Sequence, residues 1–162
     1  MSQITTYWKQ FTDSLNNSSS ELPELTGFFH FGGKEDATSI ADLVISGLKT
    51  ATGSLLWVYE HENTPIPSVG EYNIITDSDD CPVCIIQTTE LTVIPFDQIN
   101  NQFAFDCGEG DRTLSDWREI YLEYIQSECQ RIGKRPSADI PMVCEYFKVI
   151  YKEPLAERNI LS

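Results

Sequence analysis

One lysine in this sequence stands among hydroxyl side chains. In "SGLKTATGSLLW" (Ser46 to Trp57), Lys49 precedes Thr50, Thr52 and Ser54, and no further Lys or Arg occurs before Arg112. Eleven Asp and Glu residues fall between those two cations. A lysine so placed has two chemistries open to it. Neutral and desolvated, it is a base for a hydroxyl; charged, it holds an oxyanion or a phosphate. The unreactive alternative is an exposed lysine just past a helix C-terminus, where the helix dipole mildly favours it. A second candidate is "DCGEGDRTL" (Asp106 to Leu114), which sets three carboxylates, two glycines and Arg112 ahead of a long helical pattern. Asp111 suits the positive end of that helix. Glu109, between Gly108 and Gly110, lies on backbone able to approach a ligand closely.

Two other motifs carry less. "FGGKED" (Phe31 to Asp36) puts two glycines and Lys34 before a helix, without the spacing of a nucleotide-binding phosphate loop; a turn and helix start explain it, with an anion as the functional reading. "CPVC" (Cys81 to Cys84) has half the ligands of a structural zinc site and no second pair. Val83, Cys84, Ile85 and Ile86 read as strand, so plain strand thiols are expected, with no metal and no cofactor.

The elements that position these residues follow from periodicity. Tyr7, Trp8, Phe11 and Leu15 share one face of a helix predicted over 5–15, and "NNSSSELPEL" (Asn16 to Leu25) reads as a polar surface connection. A second helix is expected over 37–46, capped by Asp36 or Thr38 and closed by Gly47. Strands are then expected in "TATGSLLWVY", "EYNIITD", "VCIIQTTELTVIPF" and "MVCEYFKVIY", the last alternating at Val143, Glu145, Phe147 and Val149. In the first of these, alternation puts Thr50, Thr52 and Ser54 on one face, and helix end and strand start project Lys49 and Thr52 into one cleft. "DQINNQFAF" holds a short helix. The longest helix starts near Thr113, with Asp116 at capping-box spacing and Gly133 closing it; Leu114, Trp117, Ile120, Tyr121, Tyr124 and Cys129 form its buried stripe. Strands consecutive in sequence, with helices outside the block, predict an α+β fold: a small barrel or curved sheet with helices against it.

The chain has 162 residues, which fits one domain over 1–162, and 41% of them are apolar, a globular composition. Acidic residues outnumber basic ones 25 to 11, giving a formal charge of −14. That field opposes non-specific binding to nucleic acid, so DNA is not an expected partner and any RNA contact must be local. No apolar run approaches the roughly 18 residues of a membrane span, and no secretory signal is read at the start. Five cysteines fit reduced thiols and a cytoplasmic location.

The segments "LVISGLKTATGSLLWVYE", "VGEYNIITDSDDCPVCIIQTTELTVIPF", "FAFDCGEGDRTLSDWREIY" and "MVCEYFKVIY" together resemble the ASCH domain family, in its longer bacterial single-domain form. The resemblance runs from Ile40 to Tyr151 and rests on G-x-K-T-x-T combined with G-E-G-D-R-T-L-x-x-W-R. It implies a PUA-like β-barrel with flanking helices and a cleft for a nucleoside, a nucleotide or an RNA segment. A shorter group in the family hydrolyses the acetyl amide of N4-acetylcytidine with a Lys, a Thr three residues on and a loop Glu. By motif these fall on Lys49, Thr52 and Glu109, with Asp111 the alternative to Glu109. Tyr121 stands where relatives frequently have His.

Three functions follow from the resemblance. In an amidohydrolase, Thr52 is the nucleophile or orients water, Lys49 takes its proton and Glu109 protonates the leaving amine. In a metal-independent ribonuclease, Lys49 stabilises the phosphorane and Glu109 is the base. In a non-catalytic RNA-binding module, Lys49 and Arg112 hold phosphate and Trp57 or Tyr59 stacks on a base. Thr50, Ser54 and Asp111 complete the expected ligand-binding set. The acidity favours a small nucleoside-like or nucleotide ligand over a long RNA. Oligomeric state is left open.

Overall fold

Strand β5 (Pro141–Tyr151) is the axis of the molecule. Met142, Val143, Cys144 and Glu145 are buried in succession, so both faces of this strand are covered. The computed structural model describes residues 2–15 and 21–156. Within them, β1 (Leu25–Phe29), β2 (Ala51–Leu55), β3 (Tyr72–Thr76), β4 (Pro82–Pro95) and β5 form one sheet in the order β1-β3-β4-β5-β2. The β1–β3 pair is parallel and the other pairs are antiparallel. The long strands β4 and β5 pair from Ile85↔Tyr151 to Pro95↔Pro141, with irregularities at Ile85/Ile86 and Thr88/Glu90. An extra residue in one strand bends it and increases its twist.

The helices are α1 (Gln3–Ser14), α2 (Ala37–Ile45), α3 (Leu56–Glu62), α4 (Asn101–Cys107) and α5 (Leu114–Ile132), with a short 3₁₀ turn at Phe96–Gln98. α1 lays Tyr7 and Phe11 on Ile74 and Ile85. α2 packs Ile40, Ala41 and Val44 against Ile75, Cys84 and Ile86. α4 and α5 cover the remaining core through Phe103, Trp117, Tyr121 and Ile125, which meet Ala51, Leu55 and Met142. The molecule is therefore α+β, as expected.

Several expectations are corrected. The sheet does not close into a barrel by strand pairing: β1 and β2 are its two edges, and both border one cleft. The strand expected over 50–59 ends at Leu55, and 56–62 is helix α3, so Trp57 and Tyr59 are helical. An apolar run such as "LLWVY" fits either element by pattern alone. Strand β1 falls at the end of the expected Asn16–Leu25 connection; of that connection, residues 16–20 lie outside the described residues. Asp36 makes no side-chain cap on α2; instead Ser78, in the β3–β4 turn, accepts from the Thr38 N–H at 3.2 Å.

Candidate active site

The ends of α2 and α4 meet backbone to backbone. After α2, Gly47 takes a left-handed conformation and the Lys49 N–H donates to Leu43 O at 3.0 Å. α4 ends at Gly108, also left-handed, with φ 73°. A Cβ there would lie 2.3 Å from Leu48 O and 2.8 Å from Lys49 Cα. Glycine lets the two segments touch, and the touch brings the next residue, Glu109, to Lys49.

Lys49 is only 1% exposed. Its Nζ donates to Glu109 Oε2 at 3.0 Å and to Cys107 O at 3.2 Å, and lies 5.3 Å from the centre of the Phe31 ring. The ammonium's third proton has no protein partner among the described residues. Tyr121 Oη accepts from the Gly53 N–H at 3.3 Å and donates to Glu109 Oε2 at 3.4 Å. Burial, with Cys107 and Glu109 close by, drives the Tyr121 phenol well above its ordinary value, so it stays a neutral donor.

The second acidic candidate has another role. Asp111 Oδ1 accepts from the Thr113 N–H at 2.8 Å and from the Thr113 hydroxyl at 2.6 Å, and these bonds hold its carboxyl below the usual range. The expected capping box is thereby half replaced. Thr113 does cap α5, accepting from the Asp116 N–H at 3.1 Å, but Asp116 Oδ2 accepts from the Asp111 N–H, not from Thr113. Geometry thus gives Glu109 to Lys49 and Asp111 to the turn.

A cavity of about 670 Å³ opens over this pair. Of the residues singled out by sequence, Lys49, Thr52, Ser54, Tyr59 and Glu109 line it, and Ser54 Oγ lies 2.9 Å from Tyr59 Oη. Thr50, Trp57, Asp111 and Arg112 do not. Exposed Thr50 takes its N–H to Asp106 O at 2.8 Å, because β2 begins one residue later. Trp57 packs on the core beneath α3, with Lys134 Nζ 5.0 Å from its ring centre. Arg112 donates to Phe105 O at 3.0 Å and Leu48 O at 3.3 Å, which ties the glycine loop to the lysine segment. Lys34 is exposed and lies outside the cleft lining, and Cys84 is a buried strand thiol pushed up to about 12 by burial.

Sequence reasoning did not select several polar residues of the same cavity, among them Glu71, Asn73 and Glu145. Glu145 lies opposite Thr52 in the β2–β5 register, is 6% exposed, and accepts from the Thr88 hydroxyl at 2.5 Å. Burial raises its carboxyl above the ordinary value and Glu71 adds to this, while Thr88 and Lys49 pull it down. The available signal was a carboxylate in phase with Val143, Phe147 and Val149 on an otherwise apolar strand face.

Similarity to known proteins decides the family. The model of the ASCH domain matches residues 27–151, most of the chain. The chain belongs to the ASCH domain family. A high-resolution crystal structure of an ASCH domain from Lactobacillus crispatus is 31% identical, with TM-score 0.84, over 92% of this chain and 94% of that one. A crystal structure of an Enterococcus faecalis protein is 29% identical, with TM-score 0.81, over 93% of this chain and 89% of that one. No curated protein matches the chain. The ASCH assignment runs from within β1 to the end of β5, and with them covers every residue placed in the cleft above.

Proposed function

We propose that this ASCH protein hydrolyses the acyl amide of a small, uncharged, nucleoside-like substrate of the N4-acetylcytidine type. The observation that carries the reading is the buried Lys49–Glu109 pair in a cleft whose other charged residues include Asp36, Glu71, Glu123, Glu128 and Glu145. The one lysine of the lining is already engaged by a carboxylate. A phosphodiester entering such a site meets like charge, whereas an amide does not. This favours amide hydrolysis over the ribonuclease reading, and a nucleoside over a phosphate-bearing RNA segment, although RNA binding is among the roles proposed for the family.

The pair supplies both halves of acid–base catalysis. Transfer of one proton from Lys49 to Glu109 within the pair gives the free amine from which the reaction starts. Thr52 Oγ attacks the acyl carbonyl and its proton passes to Lys49. Glu109 gives its proton to the departing amine, which leaves acyl-Thr52 and the ion pair. Water then attacks the ester, giving a proton to Glu109 while Lys49 returns one to Thr52 Oγ. The acid is released and the starting state restored. A positioned acid or base is typically worth about 10²–10⁴-fold in rate.

Incubation of the purified protein with N4-acetylcytidine, followed by chromatography, tests this. Cytidine and acetate are expected from the parent and not from Lys49→Ala. Absence of release by the parent, or equal release by the variant, would overturn the proposal.

A further inference from the structure

Of the cleft's carboxyl groups that the mechanism above does not use, Glu145 is the buried one. It is almost fully buried, and the nearby cation, Lys49, is committed to Glu109. Thr88 occupies Oε2, and Oε1 has no protein partner among the described residues although the residue lines the cavity. Oε1 is not sealed in the core but opens on the cavity, so its partner is whatever fills that space, water or a ligand. Its surroundings define that partner. Asn73, on β3, donates to Glu71 Oε1 at 3.3 Å, so a second carboxyl stands near, and Glu71 and Glu145 repel one another. Tyr59 and Ser54 bond each other at the same cavity. The wall therefore has carboxyls in excess and no cation left to give them. A ligand that accepts a proton there, or brings positive charge, relieves the repulsion; an anion worsens it.

We propose that Glu145 is the specificity residue of the cleft, recognising a basic nitrogen of the ligand, such as the unprotonated ring nitrogen beside the amide-bearing carbon of an aminopyrimidine. This rests on the function proposed above and narrows its substrate class to acyl amides of basic heteroaromatic amines. A carboxyl sharing one proton with a basic nitrogen forms a charge-assisted hydrogen bond, about twice as strong as a neutral one. A base whose ring nitrogen already carries a hydrogen can bond the carboxyl only in the carboxyl's ionised form, which leaves the repulsion between Glu71 and Glu145 unrelieved. The cleft thus selects cytosine-type over uracil-type rings without a phosphate contact.

Binding, not turnover, tests the assignment, so its failure is separate from failure of the amidohydrolase reading. Cytidine and uridine are titrated into the parent, Glu145→Gln and Glu145→Ala by calorimetry. The parent should bind cytidine at least about tenfold more tightly than uridine, a difference of 1.4 kcal/mol. Both Glu145 variants should lose most of that preference by losing cytidine affinity, with uridine affinity held within about twofold. Equal binding of the two nucleosides by the parent, no measurable binding of either, or a preference that survives in Glu145→Ala would overturn the proposal. So would an equal fall in both affinities in Glu145→Gln, which is what a purely structural role produces.

Discussion

Lys49 and Glu109 lose different things when the partner is removed. Lys49 is fully enclosed and Glu109 is 18% exposed, so Glu109 left alone can turn to water and Lys49 cannot. Glu109→Ala is accordingly expected to destabilise the fold, up to about 3–5 kcal/mol, the cost of stranding a buried charge. Lys49→Met keeps the packing and removes the charge, so it should unfold within about 1 kcal/mol of the parent. Urea denaturation of both variants checks this; a larger loss in Lys49→Met would contradict the geometry. Glu145 supplies a pH test. Its folded-state value is raised above 4.5, so the folded chain holds that proton more tightly than the unfolded chain. Its contribution is complete below pH 4.5 and is lost as pH rises through the folded-state value. Between pH 4.5 and neutrality, Glu145→Gln should therefore lose less thermal stability than the parent. Lys49 was legible because a lone cation among hydroxyls breaks an acidic background. Glu145 was not, because alternation on a strand states which face a residue takes and not what fills the space beyond it.

The elements that bring the pair together are two helix ends and a glycine loop. Gly108→Ala requires a Cβ 2.3 Å from Leu48 O on left-handed backbone, so the loop must move. It should cost more than the roughly 1 kcal/mol by which a compatible glycine replacement would stabilise, and it should remove activity by displacing Glu109. Thermal unfolding and turnover of the same sample read both effects. Thr113→Ala should cost about 1 kcal/mol through loss of the α5 cap and leave turnover within twofold, since Thr113 does not line the cleft. The cap residue, the glycine closures and the stripe of α5 were readable because each is local chemistry at a fixed spacing. Helix α3 was not. "LLWVY" supplies apolar residues for either element, no side chain caps its start, and only packing against Met142 and its neighbours selects the helix.

At the scale of the whole molecule, strand order and charge act together. The five-stranded sheet leaves β1 and β2 unpaired with each other, and the cleft lies between elements that a closed barrel would have joined. Long-range pairing of this kind depends on contacts far apart in sequence, so β2 to β5 were legible while the parallel edge strand β1 and the openness of the sheet were not. The charge of −14 surrounds a lining that is itself rich in carboxylates. Among the described residues no helix is long and apolar enough to cross a membrane. The cleft's central feature is therefore a carboxylate-rich lining around one buried, already paired lysine. The most direct measurement compares kcat/KM for N4-acetylcytidine with that for its 5′-monophosphate, with Lys49→Met as control. The account predicts that the nucleoside is favoured at least about tenfold at low salt, that salt narrows the gap by screening, and that Lys49→Met turns over neither. A preference for the monophosphate, or turnover of neither substrate by the parent, would contradict it.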